Sequence, residues 1–328
     1  MKRKTFTSFA LECAVKLEAE GRYSTAHLYR NALRSYTEYL EQPFVLFSDL
    51  NRERLKSYYH HLVAEHKRPN TISTYLRMLR SIYNKGVDCA LAPYVNRLFH
   101  DVYTGIDTNH KKALPRNELY SLLYKDPGSE VLRKTQKTAR LLYQLCGMPF
   151  VDLSHLRESD ISEGILEYRR IKTGTKVCVK ILPPTIETMH SLEANNLNVK
   201  PLEKKTYLLN ILSGRYARGS HEEYTEYGSA LRNFNSHLHI LARKVGLKRN
   251  ISSYTLRHSW ATAAKRTGAS IEMISESLGH KSIRTTQIYL AGFKASELAK
   301  VNRKACMYAV EPGIKMPVTS KVTENSYC

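Results

Sequence analysis

One stretch near the end of the sequence, residues 251–293, constrains the fold and the chemistry more than any other: ISSYTLRHSWATAAKRTGASIEMISESLGHKSIRTTQIYLAGF. Its first part predicts a helix, because apolar residues recur every four positions at Leu256, Trp260 and Ala264. The serine pair directly before this segment can cap the start of the helix, and Gly268 can end it in a left-handed conformation.

The same stretch then restarts the helical pattern twice. A second apolar face runs from Ile271 to Leu278 and is ended by Gly279, and a third short segment leads to a tyrosine. Three short helices that meet at glycine turns could cross at steep angles. Such an arrangement would bring three polar side chains within reach of one another: Arg257, His280 and Tyr289.

These three side chains suit the transfer of a phosphodiester. A tyrosine hydroxyl can attack the phosphorus when a guanidinium neutralises the charge that grows on the non-bridging oxygens. A histidine can donate to the same phosphate or handle the proton of the nucleophile. The product would be a protein–DNA phosphotyrosine, formed without metal, cofactor or nucleotide. Because the chain has 22 tyrosines, composition does not select Tyr289, and its spacing from the other two residues carries the prediction.

The segments LRHSWAT and LGHKSIRTTQIY resemble the C-terminal half of the tyrosine recombinases, the phage-integrase family. That family carries H-x-x-R, then L-G-H, then T-x-x-x-Y with its tyrosine nine residues past the histidine. The resemblance implies that Arg257 clamps the scissile phosphate, that His280 assists and that Tyr289 is the nucleophile. Tyr254 stands where the family has its first histidine; a tyrosine can hydrogen-bond a phosphate oxygen but is a weak general base.

The charge of the chain favours a polyanionic partner. Its 51 Lys and Arg outnumber its 30 Asp and Glu, which gives a formal net charge of +21, and each phosphate that such a chain neutralises releases a counterion. The six cysteines are scattered, which predicts reduced thiols and no zinc site. No apolar run approaches the roughly 18 residues that span a bilayer, and the first residues do not read as a signal peptide. We therefore predict a cytoplasmic, nucleoid-associated protein that binds double-stranded DNA and no membrane.

Residues 1–104 predict a helical domain without strands. Apolar periodicity places helices at residues 6–19, 24–40, 52–65, 70–84 and 92–102. The fourth helix has a polar face, which solvation alone would explain. The family resemblance implies instead that this unit is a SAM-like core-binding domain, which grips DNA through four residues of that face and the stretch before it: Arg68, Thr74, Arg77 and Lys85.

A polar segment, residues 105–114, is the predicted basic linker between two domains. Its Lys111 and Lys112 would lie near the DNA backbone, so the two domains could close as a clamp. Residues 115–310 form the predicted catalytic domain, which is α+β, and residues 311–328 a disordered tail. The predicted fold class is thus mainly α with a small β-sheet.

The first catalytic arginine of the family is absent where its motif expects it. The segment CGMPFVD follows a helix break, and its Asp152 corresponds to the acidic residue of the first box. Counting back from Asp152 places the arginine at Pro149, or at Cys146 in relatives that read R-G-M-x-F-x-D. Arg157 is a candidate substitute. Losing one of two guanidiniums from a phosphoryl-transfer site would lower the rate by about 10³-fold or more.

A β-hairpin is predicted over residues 165–181, where two alternating segments flank Thr-Gly-Thr. In the family, a lysine on this hairpin reaches into the minor groove and protonates the leaving 5′ oxygen. Lys172 lies at the turn and is the favoured candidate, because a general acid must reach the leaving group. Lys176 is its rival.

The rest of the second domain is predicted from periodicity. Helices are expected at residues 115–125, 131–145, 185–193 and 229–245, with a short strand at 207–211. In relatives the helix equivalent to 229–245 packs in or near the major groove, which would bring Arg232 and Arg243 to DNA, although a plain surface helix would expose them equally. Lys248 and Arg249 stand just before residues 251–293 and would lie beside the scissile phosphate.

The leading interpretation is a site-specific recombinase of a mobile element, with integration, excision or inversion left open. The resemblance implies a homotetramer on synapsed DNA, formed from monomers, with a C-terminal helix docked on a neighbouring subunit. One alternative is a DNA-binding accessory protein derived from a recombinase, which the missing arginine and Tyr254 favour. A topoisomerase-like relaxing enzyme is a third interpretation, since it shares the chemistry without synapsis.

Overall fold

The computed structural model describes residues 4–105, 113–193 and 207–290. Over these ranges the chain is mostly helical with one small antiparallel sheet, which confirms the predicted fold class. Lys111, Lys112, the predicted C-terminal helix and the predicted tail lie outside the described residues.

The N-terminal unit is built from four helices that surround an aromatic-rich core. They are α1 (Phe6–Ala19), α2 (Tyr23–Leu40), α3 (Arg52–Ala64) and α4 (Pro69–Asp88). The Thr5 hydroxyl caps α1 by accepting the Ser8 N–H. The predicted apolar face of α4 is buried through Ile72, Leu76, Leu79 and Ile82. Burial of this stripe against α1 and α2 holds the bundle together.

The predicted helix at residues 92–102 is wrong. The chain there forms turns, and both Ala90 and Arg97 adopt left-handed backbone angles, with φ of 57° and 56°. Pro93 has no N–H to donate to a helix, and its carbonyl accepts the hydroxyl of Tyr83 at 3.0 Å. The apolar residues of this segment, among them Leu98 and Phe99, still fill the core, although not from a helix.

The second unit packs helices around a three-stranded antiparallel sheet in the order β1-β2-β3. Its elements are α5 (Arg116–Tyr124), α6 (Glu130–Gln144), α7 (Phe150–Ser154), β1 (Ile161–Ser162), β2 (Ile165–Arg169), β3 (Lys176–Lys180), α8 (Pro183–Glu193) and α9 (His221–Lys244). Leu166 pairs with Val179 and Tyr168 with Val177, and these four side chains face the core. The alternation read from the sequence is therefore correct, and it leaves one face of the hairpin exposed.

Two expectations in this unit are corrected. The strand predicted at residues 207–211 is wrong, since the segment forms turns and Leu208 makes a single backbone bond to Leu156 at 2.6 Å. Helix α9 begins at His221 and not at residue 229, because the Ser220 hydroxyl caps it by accepting the Glu223 N–H.

The part of residues 251–293 that the structure describes folds as three short helices, as its pattern predicts: α10 (Ser253–Arg266), α11 (Ile271–Ser277) and α12 (Ile283–Tyr289). Ser252 is the N-cap residue of α10. Gly268 and Gly279 have positive φ angles of 96° and 62°, so each ends its helix in a conformation that costs glycine little.

Candidate active site

Arg257 lies at the centre of the candidate site and is almost fully buried, with 2% of its surface exposed. It projects from α10. Its Nη1 donates to the carbonyl of Gly147 at 2.9 Å, and its Nη2 donates to the carbonyl of Leu278 at 2.5 Å. These acceptors are uncharged. They hold the guanidinium in one orientation without neutralising it, which is what a preorganised anion site requires.

His280 contacts this arginine directly. Its Nε2 lies 3.0 Å from Arg257 Nη2, and its Nδ1 lies 2.8 Å from the hydroxyl of the buried Thr286. Burial, followed by the nearby charges of Arg257 and Arg170, lowers the pKa of His280 from 6.5 to about 4. The ring is therefore neutral at pH 7. Since a guanidinium can only donate, Nε2 accepts from Arg257 and Nδ1 carries the proton toward Thr286.

A second arginine, Arg170, lies beside Arg257, because both side chains donate to the carbonyl of Leu278. Arg170 directly follows β2 and is 5% exposed. Its Nε donates to Asp152 Oδ2 at 3.0 Å and its Nη1 to the carbonyl of Leu278 at 2.8 Å. The other carboxylate oxygen of Asp152 accepts the N–H of Ile171 at 2.9 Å. The carbonyl of Leu278 thus receives donors from both Arg170 and Arg257.

Arg170 is the residue that the sequence analysis missed. A signal for it exists in the hairpin, because Leu166, Tyr168 and Arg170 occupy alternate positions and so share the buried face. An arginine at an inward position of a strand is uncommon unless it is paired. Its partner Asp152 was predicted as the acidic residue of the first box. In the structure, the carboxylate of Asp152 accepts a hydrogen bond from Arg170 and so fixes the guanidinium.

The glycines at this site permit close approach. A Cβ on Gly279 would lie 2.6 Å from Val177 Cγ2 and 2.7 Å from Arg170 Cδ. A Cβ on Gly147 would lie 3.1 Å from the Cα of Arg257. The glycine of L-G-H therefore lets the hairpin pack against the α11–α12 turn, and Gly147 lets the segment after α6 pack against α10.

Cys146 and Pro149, the two positions where the family motif would place its first arginine, lie in the turn between α6 and α7. Cys146 has a left-handed backbone with φ of 57°, and burial raises the pKa of its thiol. Pro149 is the N-cap residue of α7. Neither residue carries a charge. The proposed substitute Arg157 lines a cleft of about 390 Å³ that Asp152 also lines.

The hairpin lysines differ in their surroundings. Lys172 is exposed in the turn between β2 and β3, and its charge is among those that lower the pKa of His280. Lys176 lies on β3, where it forms an exposed ion pair with Glu167 at 2.8 Å. The role of Lys172 as general acid, with Lys176 as its rival, stays a prediction.

Tyr289 and Tyr254 are the two other residues predicted to act on the phosphate. Tyr289 is the last residue of α12, nine residues past His280; its side chain is outside the described part of the structure. Tyr254 lies in the first turn of α10, is 39% exposed, and has its ring 5.9 Å from the ring of His258. The roles predicted for both remain predictions.

The residues predicted to contact DNA occupy several surfaces. On the N-terminal unit, Arg68 is exposed, the Thr74 hydroxyl donates to the Asn70 carbonyl at 2.7 Å, and Arg77 and Lys85 lie along α4. In the second unit, the exposed residues are Arg232, Arg243, Lys248 and Arg249. Arg249 also lies 3.7 Å from a carboxylate oxygen of Glu118, so part of its charge is already paired. The contacts of these residues with DNA stay predictions.

Within the described part of the chain, no group of three or more His, Cys, Asp or Glu side chains could hold a metal ion. No helix of residues 4–105, 113–193 or 207–290 combines the length and apolar character that crossing a bilayer requires.

Comparison with known proteins matches this architecture to one family. The model of the phage integrase family matches residues 112–295, and that of the phage integrase SAM-like domain matches residues 5–92. A curated relative, the tyrosine recombinase XerD of Halalkalibacterium halodurans, is 26% identical over 276 residues, which cover 81% of this chain and 86% of the relative.

Solved structures share the fold at lower sequence identity. The Tn1549 transposon integrase, solved in complex with a circular intermediate DNA, is 16% identical with a TM-score of 0.60, over 92% of this chain and 99% of the other. A lambda integrase tetramer bound to a Holliday junction is 14% identical with a TM-score of 0.57, over 89% and 80% of the two chains. With both family models matched in order and the larger one covering more than half of the sequence, the chain belongs to the phage integrase family of tyrosine recombinases.

Proposed function

We propose that this chain is a competent site-specific recombinase that breaks and rejoins DNA through a 3′-phosphotyrosine on Tyr289. The observation that carries the proposal is the buried guanidinium of Arg257, held by uncharged carbonyls and in contact with a neutral imidazole. A buried cation held in this way is ready to exchange its carbonyl acceptors for the oxygens of a phosphate.

The proposed reaction balances without a metal. The phenol oxygen of Tyr289 attacks the phosphorus and forms the new P–O bond, while its proton passes to Nε2 of His280, which Arg257 releases as its Nη2 turns to the phosphate. The bond to the 5′ oxygen breaks, and Lys172 protonates that oxygen as it leaves. Arg257 neutralises the charge on the non-bridging oxygens. In the reverse direction a 5′ hydroxyl attacks the phosphotyrosine, so the energy of the original bond is kept for rejoining.

Double-stranded DNA is the proposed partner. A net charge of +21 favours phosphate binding, and the solved relatives include integrases in complex with DNA. The lambda integrase structure is a tetramer on a Holliday junction, and we propose that this chain likewise assembles as a homotetramer on two synapsed sites. Four active sites held in one assembly would allow strands to be exchanged between duplexes.

The accessory-protein interpretation rests on the absent arginine at Cys146 and Pro149. The curated relatives named as recombinases favour the catalytic interpretation. The contacts around Arg257 and His280 also support it, because a protein that only binds DNA has no need for an imidazole poised on a buried guanidinium.

A covalent-trapping experiment tests the proposal. A duplex bound by the protein is selected from a random-sequence pool, and a nick beside each possible scissile phosphate lets the cleaved fragment diffuse away. We expect a covalent protein–DNA adduct that Tyr289→Phe abolishes. Tyr216→Phe, a control at an exposed tyrosine of the same unit, should leave the adduct intact.

Two other results would support the competing interpretations. Tight, salt-sensitive binding without any adduct would support the accessory protein. Relaxation of plasmids that lack the selected site would support the topoisomerase-like enzyme.

A further inference from the structure

The first arginine box of this chain holds no arginine, yet the site contains two buried guanidiniums. We propose that Arg170, directly after strand β2, supplies the second guanidinium that contacts the scissile phosphate. The inference rests on the proposed function, since it assigns a catalytic residue to that reaction.

The first line of support is convergence. Nη1 of Arg170 and Nη2 of Arg257 lie 2.8 Å and 2.5 Å from the same carbonyl oxygen, that of Leu278. The two nitrogens therefore cannot be further apart than the sum of those distances. Two guanidiniums this close can reach two oxygens of one phosphate, and each presents its remaining nitrogens in a fixed plane suited to that geometry.

The second line of support is the donor capacity that remains on Arg170. Its Nε is occupied by Asp152 and its Nη1 by the carbonyl of Leu278. Over the described residues Nη2 of Arg170 has no acceptor, and it is not among the polar atoms that are both buried and unsatisfied. The guanidinium is thus fixed along one edge and keeps donors for a ligand.

The third line of support is the charge balance. Asp152 carries one negative charge and faces both Arg170 and the backbone N–H of Ile171. Arg257 adds a second positive charge across the Leu278 carbonyl. The charge of Arg170 also reaches the imidazole, because it contributes to the low pKa of His280. Two buried guanidiniums beside a neutral histidine favour the binding of an anion such as phosphate.

A purely structural role for Arg170 is the competing explanation. Through Asp152 and Leu278 it ties the hairpin to α7 and to the α11–α12 turn, and its loss could simply loosen the site. The test must therefore separate the neutralisation of phosphate charge from the positioning of the hairpin.

Methylphosphonate DNA makes that separation. A methyl group replaces one non-bridging oxygen at the scissile position and removes the negative charge, so a residue that only neutralises this charge is no longer needed. Cleavage of both substrates is measured at saturating DNA for the wild type and for Arg170→Gln. The matched control is Arg169→Gln, at the neighbouring exposed arginine whose Nη1 bonds the Gly174 carbonyl at 3.2 Å.

We expect Arg170→Gln to slow cleavage of the phosphodiester on the order of 10³-fold and to slow cleavage of the methylphosphonate far less. Arg169→Gln should cleave both at wild-type rates. Equal losses on the two substrates, or a wild-type rate for Arg170→Gln on the phosphodiester, would overturn the inference.

If Arg170→Gln does not fold, Arg170→Met provides the same comparison. Methionine removes the charge and fills the buried space with a flexible apolar side chain. We expect it to lose more activity on the phosphodiester than on the methylphosphonate. A wild-type protein that forms no adduct at all would overturn both the proposed function and this inference, whereas cleavage that is indifferent to residue 170 overturns the inference alone.

Discussion

Substitution of Gly279 by alanine should damage both the stability and the chemistry of the site. The φ of Gly279 is 62°, and a left-handed backbone costs a non-glycine residue about 1–2 kcal/mol. The new Cβ would also lie 2.6 Å from Val177 Cγ2 and 2.7 Å from Arg170 Cδ. Val177 is stiff and lies on a strand, and Arg170 is tethered by Asp152 and Leu278. Neither can move freely, so overpacking should add about 1–3 kcal/mol.

Gly164→Ala is the matched control for this clash. Gly164 has a similar φ of 71°, and a Cβ there would meet nothing within 4 Å, so this variant should show the backbone cost alone. Urea unfolding followed through the fluorescence of Trp260, the single tryptophan, measures both variants. We expect Gly279→Ala to be less stable than Gly164→Ala by about 1–3 kcal/mol. Equal destabilisation would refute the argument that the L-G-H glycine makes room for Arg170.

Three other predictions concern the reaction and its pH dependence. Arg257→Lys should lower the rate of adduct formation by about 10³-fold or more while DNA affinity changes far less; a rate near that of the wild type would argue against a phosphate clamp. Lys172→Ala should cleave normal DNA slowly but recover on a substrate whose leaving 5′ oxygen is replaced by sulfur, because a thiolate leaves without a proton. Lys176→Ala, which breaks only the exposed pair with Glu167, should cleave both substrates normally. For His280, a folded-state pKa of about 4 against an ordinary 6.5 means that its contribution to stability is complete above pH 6.5 and is lost as the pH falls toward 4. Wild-type protein should therefore lose more stability between pH 7 and pH 4.5 than His280→Asn does, and identical losses would contradict the assigned protonation state.

Much of the fold could be read from the sequence because its signals are local. Helix α10 follows from a four-residue apolar repeat with serines before it and Gly268 after it, and all of these lie within one short segment. The helix predicted at residues 92–102 is wrong although its apolar residues are spaced as in a helix. Arg97 within this segment has a left-handed backbone, and the periodicity of apolar residues does not encode backbone angles.

The sequence predicted some residues of the candidate site and missed another. Sequence spacing led to Arg257 and His280, and the structure places their side chains in contact at 3.0 Å. Arg170 was overlooked because its contacts with Leu278 and Asp152 join residues that are 108 and 18 positions apart. Those contacts depend on how the hairpin packs against the α11–α12 turn. The family motif has its arginine at the position of Cys146 or Pro149, whereas Arg170 projects from the neighbouring hairpin.

The most direct test of the central claim is to identify the amino acid that becomes linked to DNA. The adduct trapped on nicked substrate is digested with nuclease and trypsin and then mapped by mass spectrometry. Cleavage after Arg284 and Lys294 releases residues 285–294, a peptide that contains one tyrosine, Tyr289. We predict that this peptide alone carries the 3′-linked nucleotide. A nucleotide on any other tyrosine peptide, or no modified peptide from a complex that binds DNA, would contradict the account.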